Sequence, residues 1–221
     1  MGVLETAARI VQLGGGAVLA PRVAAMRARF EARTGAFLPE DPWFEERSRA
    51  FWCDAVTGGR FGRQVEEHLG EEEGAWLGPL ERAHRGLFRA KASLLVDIWS
   101  GAELLATTMD AASRAELDAA AGQLFDARVV GVQRPYVVVL LPGAIFHRRD
   151  ATAAIPRVLA AARARSLSTA DALDALLRME RTLRSLSRVK PAYAYRPEAL
   201  VVHPPPPGAR PNRAPRPGRS D

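Results

Sequence analysis

The chain has 221 residues, of which 48% are hydrophobic and 25% charged, the proportions of a globular fold with one substantial core or two small ones. A single cysteine, Cys53, excludes an internal disulfide and a cysteine-built zinc cluster, and no apolar run nears the roughly 18 residues of a membrane span. The net charge of +6 is unevenly spread: residues 1–80 carry nine arginines against twelve acids, and residues 148–200 carry eleven basic side chains against five acids.

From the N-terminus, VQLGGGAVLAP looks faintly like a signal-peptide core, but no basic segment precedes it and three glycines interrupt it. MGVLET fits the loose myristoylation pattern through Gly2 and Thr6. Only two lysines accompany a large excess of arginine and alanine. That bias points to a GC-rich bacterial genome, argues against eukaryotic lipidation and makes a cytoplasmic location the expectation.

Residues 1–85 read as a helical region. VAAMRARFEAR sets Val23, Met26 and Phe30 at helical spacing, with Pro21 in the first turn and Gly35 at the stop. In PEDPWFEERSRAFWCDAVTGG, Asp41 is placed to cap and Pro42 to open a helix. Glu45 and Glu46 favour the positive end of its dipole, and Gly58-Gly59 end it. Phe44, Phe51, Trp52 and Val56 form its apolar face, and Cys53 reads as a buried, inert thiol. RQVEEHL and AWLGPLERAH give two shorter helices, the second ending at His84.

From Gly86 the period changes to that of strands. GLFRAKA, LLVDIW and AELLATT read as two or three strands, the last two joined through Ser100-Gly101 as a tight hairpin. DAASRAELDAAAG is a helix between Asp110 and Gly122. QLFDARVVGVQ, YVVVLL and AIFH follow, separated by turns at Arg134-Pro135 and Pro142-Gly143. Three strands, a helix and further strands predict a small antiparallel β-barrel over residues 86–148, of OB-like or SH3-like type. The fold class expected is therefore α+β.

Residues 149–200 return to a helical, basic pattern. DATAAIPRVLAAARAR has Asp150 as a cap and Pro156 as a kink or a start. STADALDALLRMERTLRSLSR opens at Ser168 or Thr169 and sets Leu173, Leu176, Leu177, Leu183 and Leu186 on one side. Arg178, Arg181, Arg184 and Arg188 run along another. KPAYAYRPEALVV reads as an edge strand or extended arm, and the Pro/Arg-rich residues 201–221 as a disordered tail.

Chemistry-bearing motifs are scarce. His68 and Glu72 share i, i+4 spacing but lack the third ligand a metal needs. GGRFG follows a helix rather than a strand, and LGGGA lacks the Lys-Ser or Lys-Thr of a phosphate loop. His147, at a strand end beside Asp150, is the one candidate general base, and no nucleophile with a recognisable setting accompanies it. No cofactor, metal or catalytic set is expected. The expectation is a non-enzymatic binding or adaptor protein that meets a protein partner through the barrel or through Arg178, Arg181, Arg184 and Arg188. The alternative is a nucleic-acid-associated protein using the same arginines and the tail.

Overall fold

The computed structural model describes residues 2–107, 117, 122–132, 134–186 and 188–201. The helix expected over residues 110–122, apart from Leu117 and Gly122, and the tail beyond residue 201 lie outside the described residues.

Helix α1 (Val3–Gly14) forms in the segment that partly resembled a signal core, burying Thr6 and Ile10. Helix α2 (Ala20–Thr34) has its proline in the first turn, and the chain leaves it through Gly35 at φ +91°. Helix α3 (Phe44–Val56) begins two residues later than Asp41-Pro42 imply. The Asp41 carboxylate accepts from the Leu38 N–H at 2.8 Å, and its carbonyl accepts from Phe44 N–H at 2.9 Å. Asp41 is thus consumed in closing the preceding turn, a local alternative always open to a short acidic side chain. Short helices α4 (Phe61–Gln64), α5 (Glu71–Gly74) and α6 (Leu77–Glu81) complete this part.

His84 opens strand β1 (His84–Lys91) rather than ending a helix. Strands β2 (Leu94–Asp97), β3 (Glu103–Thr107), β4 (Leu124–Gly131), β5 (Val137–Leu140) and β6 (Ile145–Phe146) follow. The β2–β3 connection is five residues long, not two. Asp97 holds it, accepting from the Trp99 N–H at 3.0 Å and the Ser100 hydroxyl at 2.6 Å.

Pairing runs β1-β2-β3-β5-β4, returns from β4 to β1, and adds β6 on β4. The sheet is mixed rather than antiparallel throughout, because β3 and β5 run parallel. The reason is parity. Strands that alternate direction can close a ring only in even number, so a circuit of five must contain one parallel pair.

The sheet carries three apolar clusters. Phe88, Leu95, Phe125, Ala127, Val129, Val138 and Leu140 meet inside the circuit. On the opposite face, Val130, Val139 and Leu141 pack with the N-terminal helices around Phe30, Phe37, Phe51 and Phe61. Leu87 and Leu124 pack with the C-terminal helices. Every residue of β4 except its last is buried, because this strand has a core on each face. Gly143, at φ +104°, makes the turn before β6 under α3, where a Cβ would stand 2.6 Å from the Arg49 carbonyl oxygen. Only glycine meets both conditions.

Pro156 starts rather than kinks helix α7 (Ile155–Ala164). Helix α8 (Thr169–Ser185) is capped by Ser168, whose hydroxyl accepts from the Asp171 N–H at 3.1 Å. KPAYAYRPEALVV is neither strand nor extended arm. Pro191 opens a short helix, α9 (Pro191–Ala194), and Pro197 a single tight turn. Both prolines supply the φ that a first helical position requires. Among the described residues, no single helix is long and apolar enough to cross a membrane.

Candidate functional site

Six charged side chains alternate in sign across the covered face of β1 and β4. Asp126 accepts from Arg85 at 2.6 and 3.0 Å, and Arg85 also donates to Asp174 on α8 at 2.6 Å. Asp174 accepts from Arg33 on α2 at 3.1 Å, and Arg33 donates to Asp54 on α3 at 2.6 Å. Arg128 completes the chain by donating to Asp54. Strand alternation puts Arg85, Asp126 and Arg128 on one face, and register places Arg85 opposite Arg128. Burial alone would raise the Asp174 carboxyl, but Arg85 and Arg33 outweigh it and hold the group below its ordinary range. This is a satisfied, interior array, and it fixes three parts of the chain to one another.

His147 lies at the far end of the same helix. Its Nδ1 is 2.6 Å from the Tyr195 hydroxyl, and that hydroxyl donates to Glu180 Oε2 at 2.5 Å. Tyrosine has one proton, so its oxygen must accept from His147, which puts the imidazole proton on Nδ1. Glu180 also accepts from the Arg184 Nε–H at 2.7 Å and the Arg148 backbone N–H at 3.2 Å. Burial pushes the Glu180 carboxyl up, but His147, Arg184 and Tyr195 more than offset it, and it falls to about 2. Burial and the adjacent Glu180 hold the Tyr195 hydroxyl well above its usual range. The wiring is that of an acid–base relay, yet His147 has no exposed surface through which Nε2 could meet a substrate. What the geometry achieves is to clamp Tyr195, and with it the C-terminal segment, onto α8.

The four arginines expected to bind are divided. Arg178 donates to the Arg33 and Val201 carbonyl oxygens, the second at 2.6 Å. Arg184 is committed to Glu180, to Glu46 at 3.1 Å and to the Phe146 carbonyl at 2.9 Å. Arg181 and Arg188 are exposed and carry no hydrogen bond or ion pair among the described residues. Cys53 is buried, and desolvation raises its thiol to about 11, as expected of an unreactive position. Among the described residues no three metal-ligating side chains converge, and His68 and Glu72 fall in separate short elements.

A surface not singled out by its sequence pattern is the outer face of β2 and β3. Leu94 pairs with Leu105, and Leu105 pairs in turn with Val137. Leu105 is 43% exposed and Tyr136, beside Val137, is 72% exposed. Arg89, Lys91 and Arg134 are exposed around them, and none is hydrogen-bonded or ion-paired among the described residues. Tyr136 sits at φ +60°, a conformation costly for a bulky side chain, which turns its ring outward from the β4–β5 connection. A separate apolar recess of about 280 Å³ lies between α1 and α3, walled by Leu4, Ala7, Val11, Trp52, Val56 and Pro142.

Compared with known proteins, the chain matches no family model, no curated protein and no solved structure.

Proposed function

We propose that the protein is a non-enzymatic binding or adaptor module whose circuit of strands is an OB-like barrel. The parallel β3–β5 pair within the closed pairing order supports that type over an SH3-like one. Its working surface is the outer β2–β3 face, and its partner is an acidic protein segment. One observation carries the reading: Leu105 and Tyr136 stand exposed, rimmed by Arg89, Lys91 and Arg134, which are unpaired among the described residues and outnumber Glu103 on the same face of β3. Contiguous exposed apolar groups with a charged rim mark contact surfaces, and the rim sign selects an acidic partner.

The test compares capture from an extract of the native host by the wild-type protein, Leu105→Glu and Tyr136→Glu. An acidic protein held by the wild type, released by salt and lost from both variants supports the reading. Identical capture by all three, or none by any, overturns it.

A second reading, single-stranded nucleic acid, is favoured by the same aromatic ring among basic groups, since a base can stack where a side chain would pack. It requires an oligonucleotide shift at low salt that Tyr136→Glu abolishes. If Arg181→Glu and Arg188→Glu abolish the shift instead, binding belongs to the C-terminal arginine row.

A further inference from the structure

The first turn of α3 faces α8 across a notch walled by Trp43, Glu46, Arg47, Leu177, Arg181 and Arg184, with Ile145 and Glu180 behind. The spacing makes the walls. Trp43 and Arg47 are one helical turn apart, and Leu177, Glu180, Arg181 and Arg184 follow an i, i+3, i+4, i+7 row. The cavity measures about 10 Å³, room for one particle of water size.

Two donors in these walls have no acceptor. The Trp43 Nε1–H and Arg47 Nε–H are buried and find no hydrogen-bond partner among the described residues. Buried donors are rarely left so. Arg47 itself is 4% exposed. It gives Nη2 to the Thr34 and Gly35 carbonyls and the Thr34 hydroxyl, at 3.2, 2.7 and 2.8 Å, and meets no carboxylate. Arg181 lays its stem against Gly35, where a Cβ would come within 2.7 Å of its Cδ. This brings a second unneutralised guanidinium beside the first. Burial and then Arg181 lower the Arg47 guanidinium to about 10, against the pull of Asp126 and Glu31 in the other direction. The two carboxylates in the walls are already engaged: Glu46 by Arg184, and Glu180 by Arg184 and Tyr195.

A buried arginine without a counter-ion, a second arginine pressed towards it and two orphan donors are what a bound anion would complete. We propose that this notch is a binding site for a single-atom anion, a halide, held between Trp43 Nε1–H and Arg47 Nε–H with Arg181 closing the outer side. So small a space between the walls favours a single-atom anion over sulfate or phosphate. A water could accept from both donors, but the walls hold three guanidinium groups against two carboxylates, Glu46 and Glu180, and a water would leave that one positive charge in excess.

The experiment is thermal unfolding of the full chain in chloride against isethionate, a sulfonate too large to enter, at constant ionic strength. Between 0 and 100 mM chloride we expect the midpoint to rise by about 3 °C over the isethionate series. Trp43→Phe, which removes one donor, and Arg181→Gln, an exposed position, should each fold and lose that increment. Bromide should reproduce it. Coincident curves in the two salts, or an increment retained in both variants, would overturn the site. Neither result bears on Leu105 or Tyr136, so this inference and the proposed function stand or fall separately.

Discussion

Arg85 and Asp174 lie 89 positions apart in the chain and meet at 2.6 Å between β1 and α8. Each is also tied to a second partner, Arg85 to Asp126 and Asp174 to Arg33. Asp174→Ala would remove one carboxylate from each of two guanidinium groups, leaving Arg85 to Asp126 and Arg33 to Asp54. Loss of about 2–3 kcal/mol is expected, the order of a hydrogen bond to a charged group taken from a buried array. The exposed Arg148–Asp150 pair, at 2.6 Å, has equal geometry but ample solvent. Asp150→Ala should cost less than about 1 kcal/mol. Urea unfolding of both variants measures the contrast, and equal losses would contradict it.

The Glu180–Tyr195–His147 knot predicts a particular dependence on pH. The Glu180 carboxyl is depressed to about 2 in the folded chain, so its contribution is complete above the unfolded value near 4.5. It disappears as pH falls from there through about 2. Glu180→Gln should be less stable than wild type at pH 7, with the gap narrowing between pH 4.5 and pH 2. A gap constant across that window would refute the assignment.

Tyr195 works in the opposite sense. Its hydroxyl is raised in the folded state, so the stability it contributes is full below the unfolded value near 10 and wanes at higher pH. Tyr195→Phe should cost about 2 kcal/mol at pH 7, the order of a hydrogen bond to a charged group. The deficit relative to wild type should shrink above pH 10. Denaturant midpoints at pH 7 and pH 10.5 decide it.

Gly143→Ala tests the turn before β6. The added methyl would stand 2.6 Å from the Arg49 carbonyl oxygen at a backbone φ of +104°, and backbone cannot swing aside as a side chain can. A loss of about 2–4 kcal/mol is expected. Ala92→Gly is the converse case. Ala92 adopts φ +53° in the β1–β2 turn with its side chain exposed, and glycine there should raise stability by up to about 1 kcal/mol. Thermal midpoints moving in opposite directions would bear out both.

These cases also show what a sequence makes legible. Strand positions followed from period-two apolar runs, and the Pro142-Gly143 turn from residue type. The C-terminal helix was marked by Ser168, whose capping role is local. The parallel β3–β5 pair was hidden because strand direction is fixed by closure of the whole circuit, not by any one strand. The edge-strand reading of PAYAYRPEAL failed because Tyr195 is drawn to Glu180, 15 positions earlier. Charge was the least legible of all. Arg178 and Arg184 were expected to meet a partner, yet they are taken up within the chain by Arg33, Phe146 and Glu46, which come from distant segments. DAR in β4 carried a hint, since Asp126 and Arg128 alternate with apolar residues inside a strong strand pattern. Charges so placed imply partners on a covering element, though not which ones.

The six-membered row of charges has a consequence for how the chain comes into being. A polypeptide is synthesised from its N-terminus, and early segments ordinarily begin to fold first. Once residue 150 has emerged, Arg33, Arg85 and Arg128 are all present, but only Asp54 and Asp126 are there to receive them. The third carboxylate arrives with Asp174. Until then β1 and β4 cannot bury their charged face in balance, so the nascent sheet must wait for α8. Settlement of this sheet is thus tied to the emergence of α8, not to that of its own strands.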